Sequence, residues 1–122
     1  MTSSPNGTPV WYELMTPDPA AAQRFYGDVL GWQIGDSGMP GMDYRIARAG
    51  GDMVAGMMGL PPGLTMPFWL PYFGADGIDA AIGRITKGGG KVMHGPAEVP
   101  GGAWIVQATD PQGAFFALVG PK

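Results

Sequence analysis

Two stretches of the chain carry the same order of apolar and polar positions. Residues 11–34, WYELMTPDPAAAQRFYGDVLGWQI, read as a strand, a helix and the start of a second strand. Residues 70–93, LPYFGADGIDAAIGRITKGGGKVM, repeat that reading at an offset of 59. At this offset Ala21 and Ala22 fall on Ala80 and Ala81, Tyr26 on Ile85 and Gly31 on Gly90. The period carries the repeat more than the identities do, and two half-length modules in a short chain point to an internal duplication. In the first module Val10 to Thr16 is apolar and aromatic and stops at Pro17, which predicts a strand. Asp18 followed by Pro19 supplies an N-cap and a proline at the first helical position. The helix runs to about Leu30, Gly31 ends it, and Ala22, Phe25, Tyr26 and Val29 form one apolar stripe. Trp32 to Ile34 opens a second strand, and Tyr44 to Ala49 and Met53 to Met58 form a hairpin around Gly50-Gly51.

The stretch from Gly59 to Pro67, with Pro61, Pro62 and Pro67, is the linker between modules. Phe68 to Gly74 is the next strand. Ile78, Ala81, Ile82 and Ile85 make the stripe of a second helix, which stops at Gly88-Gly89-Gly90. Lys91 to Met93 is a short strand, His94 to Gly102 a loop, and Trp104 to Thr109 with Ala114 to Val119 a final hairpin through Asp110-Pro111-Gln112-Gly113. Each half reads β-α-β-β-β, so the fold class is α+β. The division is a disordered lead-in over 1–8 and one domain over 9–122, made of modules at about 9–60 and 67–121.

Composition narrows the function. A chain of 122 residues is one domain with a core of its own. Seven Lys and Arg against ten Asp and Glu give a net charge of −3, and the basic residues are scattered singly, which argues against nucleic acid. No apolar run approaches the length of a membrane span, and MTSSPNGTP has neither the basic nor the apolar segment of a signal peptide. With no cysteine, disulfides, thiolate nucleophiles and zinc–cysteine sites are excluded. These features predict a cytoplasmic protein. The 22 glycines and 13 prolines punctuate apolar segments and mark turns. Gly88-Gly89-Gly90 ends a helix and so is no phosphate loop.

Asp18 with Phe25-Tyr26 and Leu30-Gly31-Trp32, then Asp76-Gly77-Ile78-Asp79-Ala80-Ala81, Gly88-Gly89-Gly90-Lys91-Val92 and Asp110-Pro111-Gln112-Gly113 together carry a resemblance. From about residue 9 to residue 120 the chain resembles the vicinal oxygen chelate superfamily, the glyoxalase/bleomycin-resistance/dioxygenase fold. That resemblance implies two βαβββ modules in a curved eight-stranded mixed sheet around a cleft, with helices on the outer face, and commonly a homodimer. Many members are metal enzymes with His, Glu or Gln ligands on the first and last strands of the modules. Carried over position by position, those sites fall on Trp11, Leu70, Ala117 and Ala55 or Gly56, none of which ligates a divalent metal. The chain has one His, His94, and two Glu, Glu13 and Glu98, too few in one chain for a site of two His and one carboxylate; two chains supply two His only if His94 sits at the dimer seam. No metal and no cofactor is expected.

Strand alternation puts Trp11, Glu13 and Met15 on one face and Tyr12 and Leu14 on the other. Glu13 is then either a carboxylate in an aromatic-lined cavity, able to bind a cation or act as a base, or an exposed group paired with Arg45 or Arg48. His94 is either a pocket base or donor or a strand-end histidine without chemistry. The ligand-binding candidates are Trp11, Glu13, Tyr44, Met53, Tyr72, Trp104 and Phe115, since aromatic walls suit a flat or cationic molecule and Met adapts to varied ligands. Two readings follow. One is a metal-free small-molecule-binding protein like the antibiotic-sequestering members. The other is a metal-independent or atypical lyase or isomerase acting on a small carbonyl compound, with Glu13 or His94 as base and Tyr44 or Tyr72 as hydrogen-bond donor. A blander third is an interaction module whose cavity is filled by Trp11 and Met side chains.

Overall fold

The computed structural model describes residues 6–122. Eight strands and two helices follow one another as β1 (Pro9–Met15), α1 (Pro19–Leu30), β2 (Gln33–Asp36), β3 (Arg45–Ala49), β4 (Asp52–Met58), β5 (Phe68–Gly74), α2 (Ile78–Lys87), β6 (Lys91–Glu98), β7 (Trp104–Thr109) and β8 (Phe115–Gly120). The class is α+β, and the β-α-β-β-β order occurs twice. The offset of 59 read from the sequence separates the first residues of β1 and β5, of α1 and α2, and of β3 and β7. The described chain forms two compact units, one of residues 11–70 and one of the described residues up to Val10 with 71–122.

In the first unit the strands lie in the order β2-β3-β4-β1. β1 runs parallel to β4, with Glu13 opposite Gly56 and Leu14 opposite Met57. The β3–β4 hairpin turns at Gly50 and Gly51, both at positive φ, as a two-residue loop requires. In the second unit the order is β5-β8-β7-β6. Here β5 runs parallel to β8, with Tyr72 opposite Ala117, so the pairing of first and last strand recurs. The β7–β8 turn is longer, and the Asp110 carboxylate accepts from the backbone amides of Gln112 and Ala114, an Asx turn that fixes the hairpin. Asn6, Gly7 and Thr8, expected as part of a loose lead-in, are tied down. Gly7 and Gly74 exchange backbone bonds with Gly74 and Thr8, and the Asn6 side chain accepts from the Asp76 amide. The rest of that lead-in lies outside the described residues.

Both helices start where the sequence reading places them, and they are held differently. Asp18 caps α1 by accepting from the Ala21 amide at 3.1 Å, with Pro19 next, and Gly31 closes the helix at φ 70°. α2 sets Ile78 and Ala81 into a core with Ala75 and Val106, backed by Ile82, Ile85, Val92, Trp104 and Leu118. Its first turn carries Asp79 and its last Arg84 and Lys87, which suits the helix dipole. Burying Ile78 completely contributes about 2 kcal/mol. By contrast α1 has no buried residue. It meets its sheet through Gln23, which donates to the Ile34 carbonyl and accepts from Arg45, and through Gly27 above the Trp32 carbonyl. Phe25 stands about 200° around the helix from Gln23, so the stripe that the spacing suggested is turned outward at Phe25 and Val29.

A second departure lies at residues 94–98, expected as loop and found in β6. This strand is last in its unit's order, contains the cis Gly95–Pro96 bond and pairs with β7 through two register shifts. An edge position tolerates a proline because only one side of the strand is paired.

Three substitutions rank the supports of this fold in urea unfolding. Ile78→Ala is expected to lose about 3 kcal/mol and Asp18→Ala about 1 kcal/mol. Gly120→Ala is expected to cost at least as much as Asp18→Ala, because its methyl would fall on the Ala75 carbonyl. An Asp18→Ala loss equal to that of Ile78→Ala would contradict the packing described.

Candidate functional site

β1 presents Trp11 and Glu13 two residues apart, so both project from the same face of the strand. Glu13 is only 6% exposed. A buried carboxylate needs hydrogen-bond partners, and one comes from Tyr44, the residue before β3. The Tyr44 hydroxyl donates to Glu13 Oε2 at 2.6 Å and accepts from Trp11 Nε1 at 3.2 Å. Indole, phenol and carboxylate thus form one directed chain of donors, in which each bond polarises the next. The shorter bond has the length of a charge-assisted O–H···O⁻ contact.

What lets Tyr44 reach this place is a missing side chain. Gly56 sits opposite Glu13 across β1 and β4 and opposite Ile46 across β3 and β4. A Cβ on Gly56 would fall on the Tyr44 hydroxyl and ring. The phenol therefore lies directly on the β4 backbone, in space that any other residue at 56 would fill. Tyr44 is flanked by a surface pair, in which Arg45 donates to Asp43 at 2.9 Å. That hydrogen bond holds the Asp43 carboxyl below its usual range. Arg45, one of the cations considered for Glu13, is thus occupied by Asp43 and Gln23.

The second unit holds the matching row. Tyr72 is opposite Ala117, Ala117 opposite Gln107, and Gln107 opposite His94. Gln107 Nε2 donates to the Tyr72 hydroxyl at 2.9 Å, and Tyr72 is 4% exposed. His94 is exposed at the end of this row. Gln107 escaped the sequence reading. Its signal was present, since in WIVQAT it is the polar side chain between Val106 and Ala108, both fully buried. A polar residue alternating with core residues faces away from that core.

The remaining candidates stand apart from these two groups. Trp104 packs on the α2 core, with the Lys122 ammonium over its ring at 5.1 Å. Met53 is exposed on β4 opposite Arg48. Phe115 is half-buried at the start of β8, opposite Thr109. Among the described residues, no three His, Cys, Asp or Glu lie close enough together to hold a metal ion, and no helix is long and apolar enough to cross a membrane.

Comparison with known proteins follows the same lines. The chain is 35% identical over 117 residues to the putative glyoxylase CFP32 of Mycobacterium bovis, covering 92% of this chain and 45% of that protein. It is 33% identical over 135 residues to the anthracycline biosynthesis protein DnrV of Streptomyces peucetius, covering 97% of this chain and 48% of that protein. The chain therefore spans slightly under half the length of these relatives. Among solved structures, methylmalonyl-CoA epimerase from Mycobacterium tuberculosis matches with a TM-score of 0.67 at 15% identity, covering 100% of this chain and 93% of that one. The Mn(II)-bound glyoxalase from Novosphingobium aromaticivorans matches with a TM-score of 0.64 at 20% identity, over 96% of this chain and 42% of that one. At those identities the structures speak for the fold. The family model for the superfamily matches residues 8–118, and with it the duplicated strand–helix–strand pattern has its explanation: the chain belongs to the Glyoxalase/Bleomycin resistance protein/Dioxygenase superfamily.

Proposed function

We propose that this chain binds a small organic molecule through the Trp11–Tyr44–Glu13 group and works without the divalent metal of many superfamily members. The observation that carries the reading is the Tyr44 phenol lying on Gly56 while bonded to Glu13. At the positions where the resemblance calls for ligands stand Trp11, Leu70, Ala117 and Ala55 or Gly56. Indole, aliphatic side chains and hydrogen are not ligands for such ions, so these residues do not fit a metal. What the group does offer is an indole face, a phenol and a carboxylate. That combination suits a flat ligand carrying a cationic or hydrogen-bond-donating group. The name of the Streptomyces peucetius relative, an anthracycline biosynthesis protein, supports a flat polycyclic ligand. We read the working form as a homodimer in the cytoplasm.

The bond from Tyr44 to Glu13 also favours a second reading, a metal-independent lyase or isomerase acting on a small carbonyl compound. In that reading the Glu13 carboxylate takes a proton from the carbon beside the carbonyl, the Tyr44 O–H turns from the now protonated Glu13 to the developing enolate oxygen, and Glu13 returns the proton to the product. Binding and turnover part at Glu13→Gln. As base, Glu13 is required for turnover while ligand still binds. As a pure anchor, it affects affinity alone.

Three outcomes check the proposal. Elemental analysis of purified protein is expected to find no stoichiometric metal, and added Ni, Zn, Fe or Mn is expected to leave the melting temperature unchanged. A stoichiometric metal would sink the reading. Titration with an anthracycline is expected to quench tryptophan fluorescence, with affinity reduced about tenfold or more in Glu13→Gln, the loss of one charge-assisted bond. Finally, Gly56→Ala is expected to destabilise the wild type and to cost at least about 1 kcal/mol less in a Tyr44→Ala background, as contacting residues couple. Additive losses in that cycle would show that the phenol does not occupy the Gly56 position.

A further inference from the structure

The second unit carries a set of polar side chains that its fold does not need. On the face away from α2, two rows of opposed residues cross its sheet. One is Tyr72, Ala117, Gln107 and His94, and the next is Phe115, Thr109 and Lys91. Trp104 and Val106 pack on α2, so Gln107 and Thr109, which alternate with them on β7, lie on the other side. Lys91 and His94 share that side because β6 is irregular. Three residues apart, they would fall on opposite faces of a regular strand. A register shift between Val92 and His94 sets them against Thr109 and Gln107, which share one face. A second shift follows between His94 and Ala97, where Gly95 lies at φ 100° and a Cβ would come within 2.7 Å of the Ile105 carbonyl. Bulges of this kind re-aim side chains. The first repeat has no such cluster, since the offset of 59 takes Lys91 to Trp32 and His94 to Gly35.

Each polar group brought together here can donate a hydrogen bond. The Lys91 ammonium only donates, the His94 imidazole carries at least one N–H in either protonation state, and the Thr109 hydroxyl has one O–H. Gln107 donates one amide N–H to the Tyr72 hydroxyl at 2.9 Å. That bond, to a residue only 4% exposed, holds the amide in place and leaves its second N–H for another acceptor. Gln107 and His94 are directly opposite, which sets their Cβ atoms about 5 Å apart, and Lys91 stands about 7 Å further along the sheet. No Asp or Glu stands in either row, because Glu98 pairs with Trp104 on the α2 side. Lys91 and His94 are exposed and form no ion pair among the described residues. In a chain with ten acidic side chains against seven basic ones, a cationic patch without a carboxylate selects an anion. Two N–H donors side by side suit the two oxygens of a carboxylate, with the ammonium adding charge. Phe115, in the row of Lys91, offers a ring to the body of such a molecule.

We infer that Lys91, His94, Gln107 and Thr109 form a binding site for a small aromatic carboxylate, with Tyr72 positioning the Gln107 amide. Every residue of this site belongs to the second unit, so it stands or falls apart from the Glu13 group.

Titration of isotope-labelled protein with benzoate, followed by amide NMR spectra, tests this site. Benzoate is expected to shift the Gln107 side-chain amide and the backbone signals of Lys91, His94 and Thr109 to saturation, and neutral benzamide is not. Lys91→Ala and His94→Ala are each expected to weaken benzoate about tenfold, the loss of one charge-assisted bond. Both side chains are exposed on an edge strand, so the circular dichroism of these variants stays unchanged. Tyr72→Phe is expected to weaken benzoate about threefold, and to have no effect in a Gln107→Leu background, because it acts only through that amide. An equal loss in both backgrounds overturns the positioning role of Tyr72. Absence of saturable shifts at these residues, or equal shifts from benzamide, overturns the site. So do shifts spread evenly over Arg24, Arg48 and Arg84, which show only a general attraction to exposed cations. Inorganic phosphate binding the same residues more tightly than benzoate overturns the carboxylate assignment. The Lys91 and His94 variants decide the matter if Tyr72→Phe fails to fold.

Discussion

A carboxylate held out of water governs the first unit of this chain. Glu13 cannot stay buried in β1 without a partner, because an ionised group removed from solvent costs far more than one hydrogen bond returns. Tyr44 supplies a partner only because the strand between them has no side chain at Gly56, and the Trp11 indole N–H donates to the Tyr44 hydroxyl. Four residues from β1, the edge of β3 and β4 are thereby fixed as one group. Their register follows from it, since a slip of one residue in β1 against β4 would turn Glu13 to the opposite face.

The two repeats share their topology and divide in their chemistry. In the first, the row across the sheet runs from Glu13 over Gly56 to Ile46. In the second it runs from Tyr72 over Ala117 to Gln107 and His94. Each row has a small residue in the middle strand, so the frame is kept while the buried carboxylate sits in the row of the first copy. The helices diverge in the same way. α2 is anchored by Ile78 and Ala81 in a core, whereas α1 is anchored by the side-chain amide of Gln23. A polar anchor leaves a helix free to present its apolar side elsewhere.

Much of this was legible in the sequence, for reasons of local chemistry. Asp18, Pro19 and Gly31 fix the ends of α1 by capping and backbone freedom, which neighbours hardly alter. The repeat offset survives because it counts elements rather than identities. Alternation correctly paired Trp11 with Glu13. Three things were not legible. The orientation of α1 depends on which residues meet the sheet, and the period alone cannot rank Gln23 above Phe25. The strand through Gly95 and Pro96 looks like a loop because its local signals are those of a turn, and only pairing with β7 overrides them. Tyr44 was singled out as an aromatic wall or donor, but its bond to Glu13 joins residues 31 positions apart, and no spacing rule links them.

The contact between Tyr44 and Gly56 also constrains the history open to this chain. While the phenol lies on the β4 backbone, every non-glycine residue at 56 collides with it, so a side chain there requires the phenol to move or to be lost. Removal of Tyr44 first opens the position but deprives Glu13 of a partner. Two positions are thus locked to each other, and a lineage can change the chemistry at this point only in a set order.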